Sequence, residues 1–399
     1  MLMLTGKKII VGITGSIAAY KIPLIVRQLI KAGAEVKVIM TPASTDFVSK
    51  LTLSTLSKNP VLVDLFDEQS WANHVELGRW ADLMLIAPLS CNTLSKMAIG
   101  QCDNLLLAVY LSALCPVMVA PAMDEDMWHH PNTKRNLERL LVNGNIVLNV
   151  TYGELASGLI GQGRMTEPED IVVAIEQFFK TANQLQGKKA LVTAGPTYEA
   201  IDPVRFIGNH SSGKMGYAIA DELANRGAQV TLVSGPVSIE TKNKRIKLIK
   251  VTSADEMHTT CTNNSASYDI AVMAAAVADY MPTVVADQKI KKANGELTIT
   301  LKKTKDILGS LGKTKANEQV LVGFALETEN EKTNAQKKLI EKNADIIILN
   351  SLNDEGAGFG HDTNKVTLFF KNGDQKQIEL KSKSALAKDI VDAIIEIKS

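Results

Sequence analysis

The chain has 399 residues, of which 45% are hydrophobic, and its 44 basic and 43 acidic residues give a formal net charge of +1. This length and apolar content predict two or three domains with ordinary buried cores. Because the charge is close to neutral, it favours neither nucleic acid nor a membrane surface as a partner, and small molecules are the expected partners.

The segment from Lys7 to Met40 reads as a strand, a glycine turn, an amphipathic helix and a second strand. Strands that alternate with helices predict a parallel, doubly wound sheet, whose ligands bind beyond the carboxyl ends of its strands. Turn residues follow three of these strand ends and are predicted to face one crevice, although several could equally be helix caps. They are Gly15, Ser16, Ile17, Thr41, Ser44, Ser90, Asn92 and Thr93.

A dinucleotide oxidoreductase would also contain alternating strands and helices. The chain lacks a G-x-G-x-x-G turn followed by an acidic residue about 20 positions later. The sequence therefore argues against a dinucleotide cofactor.

The run from Leu105 to Met123 carries no charge over 19 residues, which is the length of a membrane span. Pro116 and Pro121 argue against one continuous helix, and the pattern instead predicts a helix ending near Leu114 and then a short buried strand. The amino-terminal residues also lack the order of a signal peptide, so the protein is expected in the cytoplasm.

Candidate catalytic groups occur at three later positions of the first half. His74 stands where a helix begins, so it is either a cap or surface group or a base that titrates near neutrality. Met123 and Asp124 follow a predicted strand within PAMDEDMW, and Ser157 lies in the glycine-rich stretch LASGLIGQG.

The four cysteines, Cys91, Cys102, Cys115 and Cys261, form no C-x-x-C pair and show no zinc spacing. We expect all four to be reduced and buried apolar side chains, without a disulfide or a structural zinc. No metal ligands are predicted from the sequence.

A second copy of the strand and helix pattern begins at KKALVTAGPT and continues to ELANRGAQVTLVSG. An amphipathic helix from Pro168 to Lys180 and a polar stretch separate the two copies, which predicts domains at residues 1–185 and 186–399. The last helix has an apolar stripe that is predicted to pack on the second sheet. The stripe consists of Leu386, Ile390, Val391, Ile394 and Ile395.

A long polar loop, DPVRFIGNHSSGKMG, follows the first strand of the second half. Gly213, Lys214 and Gly216 stand at a predicted helix start, where backbone N–H groups and an ammonium group favour an anion. Glycine, serine and asparagine also prefer solvated loops, so the residues alone leave both a phosphate site and a plain loop open.

This loop resembles the signature of phosphopantothenate-cysteine ligases, and the first half of the chain resembles phosphopantothenoylcysteine decarboxylases. The resemblance implies a bifunctional family of coenzyme A biosynthesis, with a flavodoxin-like flavin-binding domain followed by a Rossmann-like ligase domain. It implies that CTP, with Mg²⁺, activates 4'-phosphopantothenate as an acyl-cytidylate that cysteine converts to an amide. It further implies FMN-dependent decarboxylation to 4'-phosphopantetheine, and homo-oligomers with trimeric decarboxylase units and dimeric ligase units.

The same resemblance assigns roles to residues of the first half. The turn residues from Gly15 to Thr93 named above would contact FMN, mostly at its phosphate and ribityl groups. His74 would be the active-site base, and Met123 and Asp124 would contact the substrate of decarboxylation.

In the second half, the resemblance assigns Asn209 to the acyl-cytidylate and Arg205 to the substrate side. Lys289 would stabilise the charge that develops as pyrophosphate leaves, and Phe324 would stack on the cytosine. The implied CTP contacts are Met273, Ala274, Ala275, Asp279, Lys289, Lys305, Asp306, Ile307, Leu308, Phe324, Lys338 and Lys342.

Two positions of the first half depart from the family motif. Asp124 replaces an asparagine that grips the substrate carboxylate, and two carboxylates about 4 Å apart repel by roughly 4 kcal/mol at an effective dielectric near 20 unless one is protonated. Ser157 replaces a cysteine, and a hydroxyl is a far weaker acid than a thiol. The first half is therefore either an impaired decarboxylase or a flavin-binding scaffold without turnover.

The second half shows smaller departures. Tyr198 and Gly208 stand where the family commonly has arginine and serine, and neither removes an implied nucleotide contact. Two other family motifs are present, a K-x-K-K segment that ends at Lys292 and a glycine-rich hairpin at residues 354–369.

Overall fold

The computed structural model describes residues 2–66, 72–241, 243–263, 265–291, 296–327, 330–351 and 361–398. Lys292 and residues 354–360 of the predicted hairpin lie outside these ranges. The chain divides into two compact units, Met1–Lys180 and Thr181–Ser399.

Unit 1 is built on a six-stranded parallel sheet in the order β3-β2-β1-β4-β5-β6. All seven residues of its central strand β4 are buried, because helices cover both faces of the sheet. A separate antiparallel hairpin, β7–β8, follows. The strands are β1 (Lys8–Ile13), β2 (Glu35–Met40), β3 (Val61–Leu62), β4 (Leu83–Leu89), β5 (Val117–Pro121), β6 (Ile146–Val147), β7 (Thr151–Glu154) and β8 (Ile160–Arg164).

The helices of unit 1 bury one apolar core on each side of the sheet. One core contains residues of α1 and α8, and the other contains residues of α3, α4, α5 and α7. The helices are α1 (Ile22–Lys31), α2 (Lys50–Ser57), α3 (His74–Trp80), α4 (Cys91–Ile99), α5 (Leu105–Ser112), α6 (Glu125–His129), α7 (Pro131–Val142) and α8 (Pro168–Ala182). Short 3₁₀ turns at Ile17–Lys21 and Pro42–Asp46 follow β1 and β2.

Unit 2 contains an eight-stranded sheet in the order β13-β12-β9-β14-β17-β18-β19-β20, in which only the pairs β18–β19 and β19–β20 are antiparallel. Two small antiparallel strand pairs, β10–β11 and β15–β16, form separate two-stranded sheets. The strands are β9 (Lys189–Ala194), β10 (Tyr198–Ala200), β11 (Phe206–Gly208), β12 (Gln229–Ser234), β13 (Ile246–Lys250), β14 (Ile270–Met273), β15 (Tyr280–Pro282), β16 (Leu301–Lys303), β17 (Val320–Glu327), β18 (Ile346–Ser351), β19 (Thr363–Phe370) and β20 (Gln375–Ser382).

Helices also cover both faces of the sheet in unit 2. Residues of α9 and α13 share one core, and residues of α10, α11 and α12 share the other. In the predicted stripe of the last helix, four side chains are fully buried and Ile395 is partly buried, which confirms its packing on the sheet. The helices are α9 (Lys214–Asn225), α10 (Ala254–Thr262), α11 (Ile307–Thr314), α12 (Glu331–Glu341) and α13 (Lys383–Lys398).

The predicted fold class is confirmed, because each unit is a doubly wound α/β sheet. The helix and strand expected after Leu105 are also found, as α5 and β5. No helix in the described part of the chain combines the length and the apolar character that a membrane crossing requires.

The prediction that all four cysteines are buried is wrong. Cys261 is buried, Cys91 and Cys115 are partly buried, and Cys102 is exposed. Cys102 follows Gly100, whose φ of 75° ends α4, so it lies in the turn between two helices. All four are free thiols.

Candidate active sites

A cavity of about 550 Å³ lies at the carboxyl ends of the parallel strands of unit 1. Six of the eight turn residues predicted from the sequence line it, and Met123 lines it as well. The six residues are Gly15, Ser16, Thr41, Ser90, Asn92 and Thr93. The structure therefore brings the ends of three predicted strands to one crevice.

Side-chain hydrogen bonds hold these turns in place. Ser90 is the N-cap of α4 and accepts from the Thr93 N–H at 3.4 Å, so the helix begins at the cavity. The Thr14 hydroxyl donates to the Pro88 carbonyl at 2.6 Å and accepts from the Ser90 N–H at 2.9 Å. These bonds connect the end of β1 with the end of β4, and the first turn of α4, whose N–H groups favour an anion, lies at the cavity.

One observation fits a flavin nucleotide in this cavity, and a second shows how closely the turn beside it is packed. The Thr41 hydroxyl is buried and has no hydrogen-bond partner among the described residues, which is unusual for a buried polar group. At Gly15 a Cβ atom would lie 2.9 Å from the Ala43 Cβ, so the turn leaves no room for a side chain. A ligand group that accepts or donates at Thr41 would satisfy the hydroxyl.

The other two predicted flavin contacts do not line the cavity. Ile17 is 56% exposed. Ser44 is buried and its hydroxyl donates to the Thr41 carbonyl at 2.7 Å, so it supports the turn from behind. Lys96 and Asp103, which the sequence reading missed, line the cavity as an ion pair of 2.5 Å.

The three candidate catalytic residues of unit 1 lie outside the lining of this cavity. His74 begins α3, but the cap of that helix is Asn73, whose side chain accepts from the Glu76 N–H at 3.0 Å. The capping role considered for His74 therefore belongs to Asn73. Asp124 caps α6 by accepting from the Glu125 N–H at 2.8 Å.

Ser157 is exposed in the turn between β7 and β8, and this hairpin packs on the segment that carries Asp124. The Met123 N–H donates to the Gly163 carbonyl at 3.0 Å. The Trp128 indole N–H donates to Gln162 at 3.1 Å. Hydrogen bonds therefore hold the hairpin that carries Ser157 against the segment that carries Asp124.

A cleft of about 820 Å³ lies at the carboxyl ends of the strands of unit 2. Ten of the twelve predicted CTP contacts line it, together with Asn209. Ala274 lines a neighbouring cavity instead, and the exposed Lys289 lines neither. The ten residues are Met273, Ala275, Asp279, Lys305, Asp306, Ile307, Leu308, Phe324, Lys338 and Lys342.

The lining of this cleft carries an excess of positive charge. It includes four lysines and two aspartates. Of the lysines, Lys303 was not predicted from the sequence. Lys342 pairs with Asp306 at 2.7 Å. Burial opposes ionisation of Asp306, but the hydrogen bond from Lys342 and the Gly309 N–H bring its pKa below the usual value. Such a lining suits a polyphosphate.

The backbone wall of the cleft is fixed by threonines and by Asn209. The Thr193 hydroxyl accepts from the Ala275 N–H at 3.1 Å, and the Thr197 hydroxyl accepts from the Ala278 N–H at 3.0 Å. The Asn209 amide donates to the Ala276 carbonyl at 3.0 Å. Sequence reasoning found Asn209 but missed both threonines, which lie at the end of β9 and just beyond it.

Arg205 does not line the cleft but holds the segment that carries Lys289. Its guanidinium donates to the Asp202 carboxylate and, at 2.9 Å, to the Ile290 carbonyl. Asp202 is buried and also accepts from the Ile290 N–H at 3.1 Å. The hydrogen bond from Arg205 holds the pKa of Asp202 well below its usual range. Asp202 was not singled out from the sequence.

The two departures in the second half face each other. Tyr198 and Gly208 are register partners in the β10–β11 hairpin, and a Cβ atom at Gly208 would lie 2.7 Å from the Tyr198 ring. The Tyr198 ring stacks on Phe206 with centroids 3.8 Å apart. The glycine therefore provides the space that the tyrosine ring occupies.

No group of three or more histidine, cysteine, aspartate or glutamate side chains in the described ranges is arranged to hold a metal ion.

Comparison with known proteins covers both units. The flavoprotein family model matches residues 2–180. The model of the DNA/pantothenate metabolism flavoprotein C-terminal domain matches residues 185–397. The first match supports a flavin cofactor for unit 1.

Curated relatives match along nearly the whole chain. The coenzyme A biosynthesis bifunctional protein CoaBC of Haemophilus influenzae is 46% identical over 98% of each chain. A protein named cysteine/cysteine sulfinic acid decarboxylase, from an unidentified prokaryote, is 52% identical over 88% of this chain and 99% of its own.

Among solved structures, the C-terminal domain of a CoaBC protein is 41% identical with a TM-score of 0.46, over 54% of this chain and 97% of its own. The two family models, one for each unit, and the end-to-end identity to curated relatives agree with the sequence motifs. The chain belongs to the family of bifunctional coenzyme A biosynthesis enzymes.

Proposed function

We propose that unit 2 condenses 4'-phosphopantothenate with cysteine at the expense of CTP, and that unit 1 decarboxylates the product to 4'-phosphopantetheine with FMN. The observation that carries the proposal is the cleft of unit 2, where ten implied CTP contacts line one lysine-rich surface. The substrates are small molecules, and the proposed location is the cytoplasm.

The ligase reaction needs an activated acid, because a carboxylate does not form an amide with an amine in water unaided. A carboxylate oxygen of phosphopantothenate attacks the α-phosphorus of CTP, and pyrophosphate leaves with the electron pair. Lys338 in α12 and Lys342 at its C-cap would face the triphosphate, and Lys289 would close on it from the segment held by Arg205. Mg²⁺ would enter with the triphosphate.

In unit 1, FMN would supply reversible two-electron chemistry, in which the cysteinyl thiol is oxidised before carbon dioxide leaves and the product is reduced again afterwards. The cavity turns at Ser16 and Ser90 would hold the flavin phosphate with helix N–H groups. His74 would take the thiol proton, since imidazole is the side chain that most often acts as a general base. Ser157 would return a proton less readily than a cysteine does.

A second candidate substrate for unit 1 is free cysteine, whose carboxylate can leave by the same chemistry. One relative is named for decarboxylation of cysteine. The α-nitrogen of free cysteine is a cation, whereas the corresponding nitrogen of phosphopantothenoylcysteine is a neutral amide. Asp124 would repel the carboxylate of either substrate but attract only the cation of the free amino acid.

We also propose a homo-oligomer with trimeric unit 1 and dimeric unit 2. His74, Asp124 and Ser157 lie outside the lining of the flavin cavity, so a site that contains all of them is incomplete in one chain. Ile17 and Phe47, near the cavity turns, are 56% and 42% exposed. A second copy that covers these apolar side chains would supply the missing groups.

Replacing Lys289 tests the ligase function. We expect Lys289→Met to lower CTP-dependent pyrophosphate release, with phosphopantothenate present, by about 10²-fold, because one stabilising cation is lost in the transition state. Lys291→Met is the matched control, since Lys291 is exposed in the same segment, and should retain most of the activity. Equal effects of the two changes would contradict the assigned role of Lys289.

Changing Asp124 tests which substrate unit 1 prefers. We expect Asp124→Asn to raise kcat/KM for phosphopantothenoylcysteine by about 10-fold, because its carboxylate is no longer repelled. We expect the same change to lower kcat/KM for free cysteine, because its ammonium group loses the partner carboxylate. Carbon dioxide release is the measurement. Asparagine caps a helix as well as aspartate does, so α6 should remain intact.

Adding Ser157→Cys should raise the turnover of phosphopantothenoylcysteine further. Full activity of the unmodified protein, with no gain from either change, would show that unit 1 is not impaired. Flavin absorbance without carbon dioxide release from either substrate, in every variant, would favour a scaffold.

Gly15 provides a test of the flavin cavity. Gly15→Val should lower the ratio of flavin absorbance to protein by at least about 10-fold, because its side chain would collide with Ala43 and move the turn. The double change Gly15→Ala with Ala43→Gly should retain flavin. Flavin content that is unaffected by valine would place the flavin elsewhere.

Light scattering on the intact protein tests the proposed assembly. We expect the mass of an assembly of several 43.2 kDa chains, in which the copies of unit 1 form trimers. A monomer that decarboxylates either substrate at full rate would rule out a site completed by a second copy.

A further inference from the structure

A cysteine lines the flavin cavity of unit 1. Cys91 contributes to the lining, and among the described residues of that lining it carries the only thiol. It is the first residue of α4 and follows Ser90, the N-cap of that helix. Cys102 and Cys115, which are also described in unit 1, do not line the cavity. Cys91 is therefore the cysteine that a ligand of this cavity can reach.

Two contacts fix the position of the Cys91 side chain. Its thiol donates to the Met123 Sδ atom at 3.2 Å, and Met123 lines the same cavity. The Thr133 hydroxyl in α7 lies 4.0 Å from the same sulfur. Met123 is a predicted contact of the decarboxylation substrate, so the thiol lies beside the place where that substrate is expected.

The same cavity carries an independent sign of a ligand. Thr41 lines the cavity and is 6% exposed, and its hydroxyl has no hydrogen-bond partner among the described residues. A buried polar group without a partner is unusual, and a bound group would satisfy it. Cys91 is thus a thiol within a ligand cavity and not an isolated surface cysteine.

Decarboxylation of a cysteinyl group requires an acid in this cavity. When carbon dioxide leaves the oxidised substrate, its electron pair stays behind as an enethiolate. A proton must then join the carbon that carried the carboxylate, so that the carbon–carbon double bond becomes a carbon–sulfur double bond. That bond is reduced to the thiol by the two electrons and two protons that the first oxidation removed. Over the whole reaction, one proton replaces carbon dioxide.

Few groups among the described lining residues can donate this proton. Asp103 pairs with Lys96 at 2.5 Å, and the hydrogen bond from Lys96 lowers the pKa of Asp103, so the carboxyl is ionised and the ammonium group is held by it. Serine and threonine hydroxyls are far weaker acids than a thiol. Burial raises the pKa of the Cys91 thiol, which therefore keeps its proton at neutral pH until a strong base takes it.

We propose that Cys91 is the acid that protonates the enethiolate carbon in unit 1. The inference rests on the proposed decarboxylase function. The S–H bond of Cys91 breaks, the new C–H bond forms with the electron pair of the double bond, and the remaining thiolate regains a proton from water. N–H groups at the start of α4 favour the thiolate while it exists. Cys91 thereby takes the role for which the Ser157 hydroxyl is too weak an acid.

Removing the thiol in two backgrounds tests this role. We expect Cys91→Ala and Cys91→Ser to lower the rate of formation of the saturated thiol product by about 10²-fold, because a positioned acid is lost. In the Ser157→Cys background a second thiol can donate, so the same changes should cost less than about 3-fold. Cys115→Ala is the matched control, because Cys115 is also a partly buried thiol with a raised pKa but does not line the cavity.

The flavin spectrum distinguishes proton donation from packing. In the absence of oxygen, Cys91→Ala should release about one carbon dioxide per flavin and leave the flavin absorbance bleached, because the electrons are not returned to the product. Adding Ser157→Cys should restore the absorbance. Loss of bound flavin, or of the first release of carbon dioxide, would show that Cys91 only packs the cavity and would overturn the proposal.

Alkylation of the intact chain before and after addition of FMN tests whether the thiol faces the cavity. With iodoacetamide at alkaline pH, we expect mass spectrometry to find label on Cys91 and on the exposed Cys102 without FMN, and FMN should protect Cys91 alone. Labelling of Cys91 that FMN does not change would overturn the proposal. So would full product formation by Cys91→Ala, which would assign the proton to His74 or Ser157. If the unmodified protein releases no carbon dioxide from either candidate substrate, the decarboxylase function itself fails.

Discussion

Both candidate sites depend on one constraint of parallel sheets: all strands of the parallel set end at the same edge, and their backbone groups must find partners there. In unit 1 the Thr14 hydroxyl bridges the ends of β1 and β4. In unit 2 Thr193 and Thr197 fix the loop after β14. These hydrogen bonds fix the turns that line the two cavities, so the same backbone constraint shapes both candidate sites.

The two units differ in how completely each site is assembled within the chain. Ten of the twelve implied nucleotide contacts line the cleft of unit 2, where Asp306 pairs with Lys342. In unit 1 the turns form a cavity, and His74, Asp124 and Ser157 do not line it. Within one chain, the cleft of unit 2 therefore brings together more of its predicted groups than the cavity of unit 1 does.

Much of this was predictable, because strand ends can be read from runs of buried residues and the turn residues follow them directly. The sequence could not show that Ser44 turns inward to the Thr41 carbonyl or that Arg205 is bound to Asp202, since those outcomes depend on side-chain direction. It also could not bring Cys91 next to Met123, because the two are brought together only by the pairing of β4 with β5. Local pattern predicts elements well, whereas contacts between distant segments emerge only from packing.

The facing pair in the β10–β11 hairpin has a consequence for the aromatic stack beside it. A Cβ atom at position 208 would lie 2.7 Å from the Tyr198 ring and 3.0 Å from the Thr197 carbonyl oxygen. The ring would then have to turn away from Phe206, on which it now stacks. The orientation of this aromatic pair therefore depends on a glycine in the neighbouring strand.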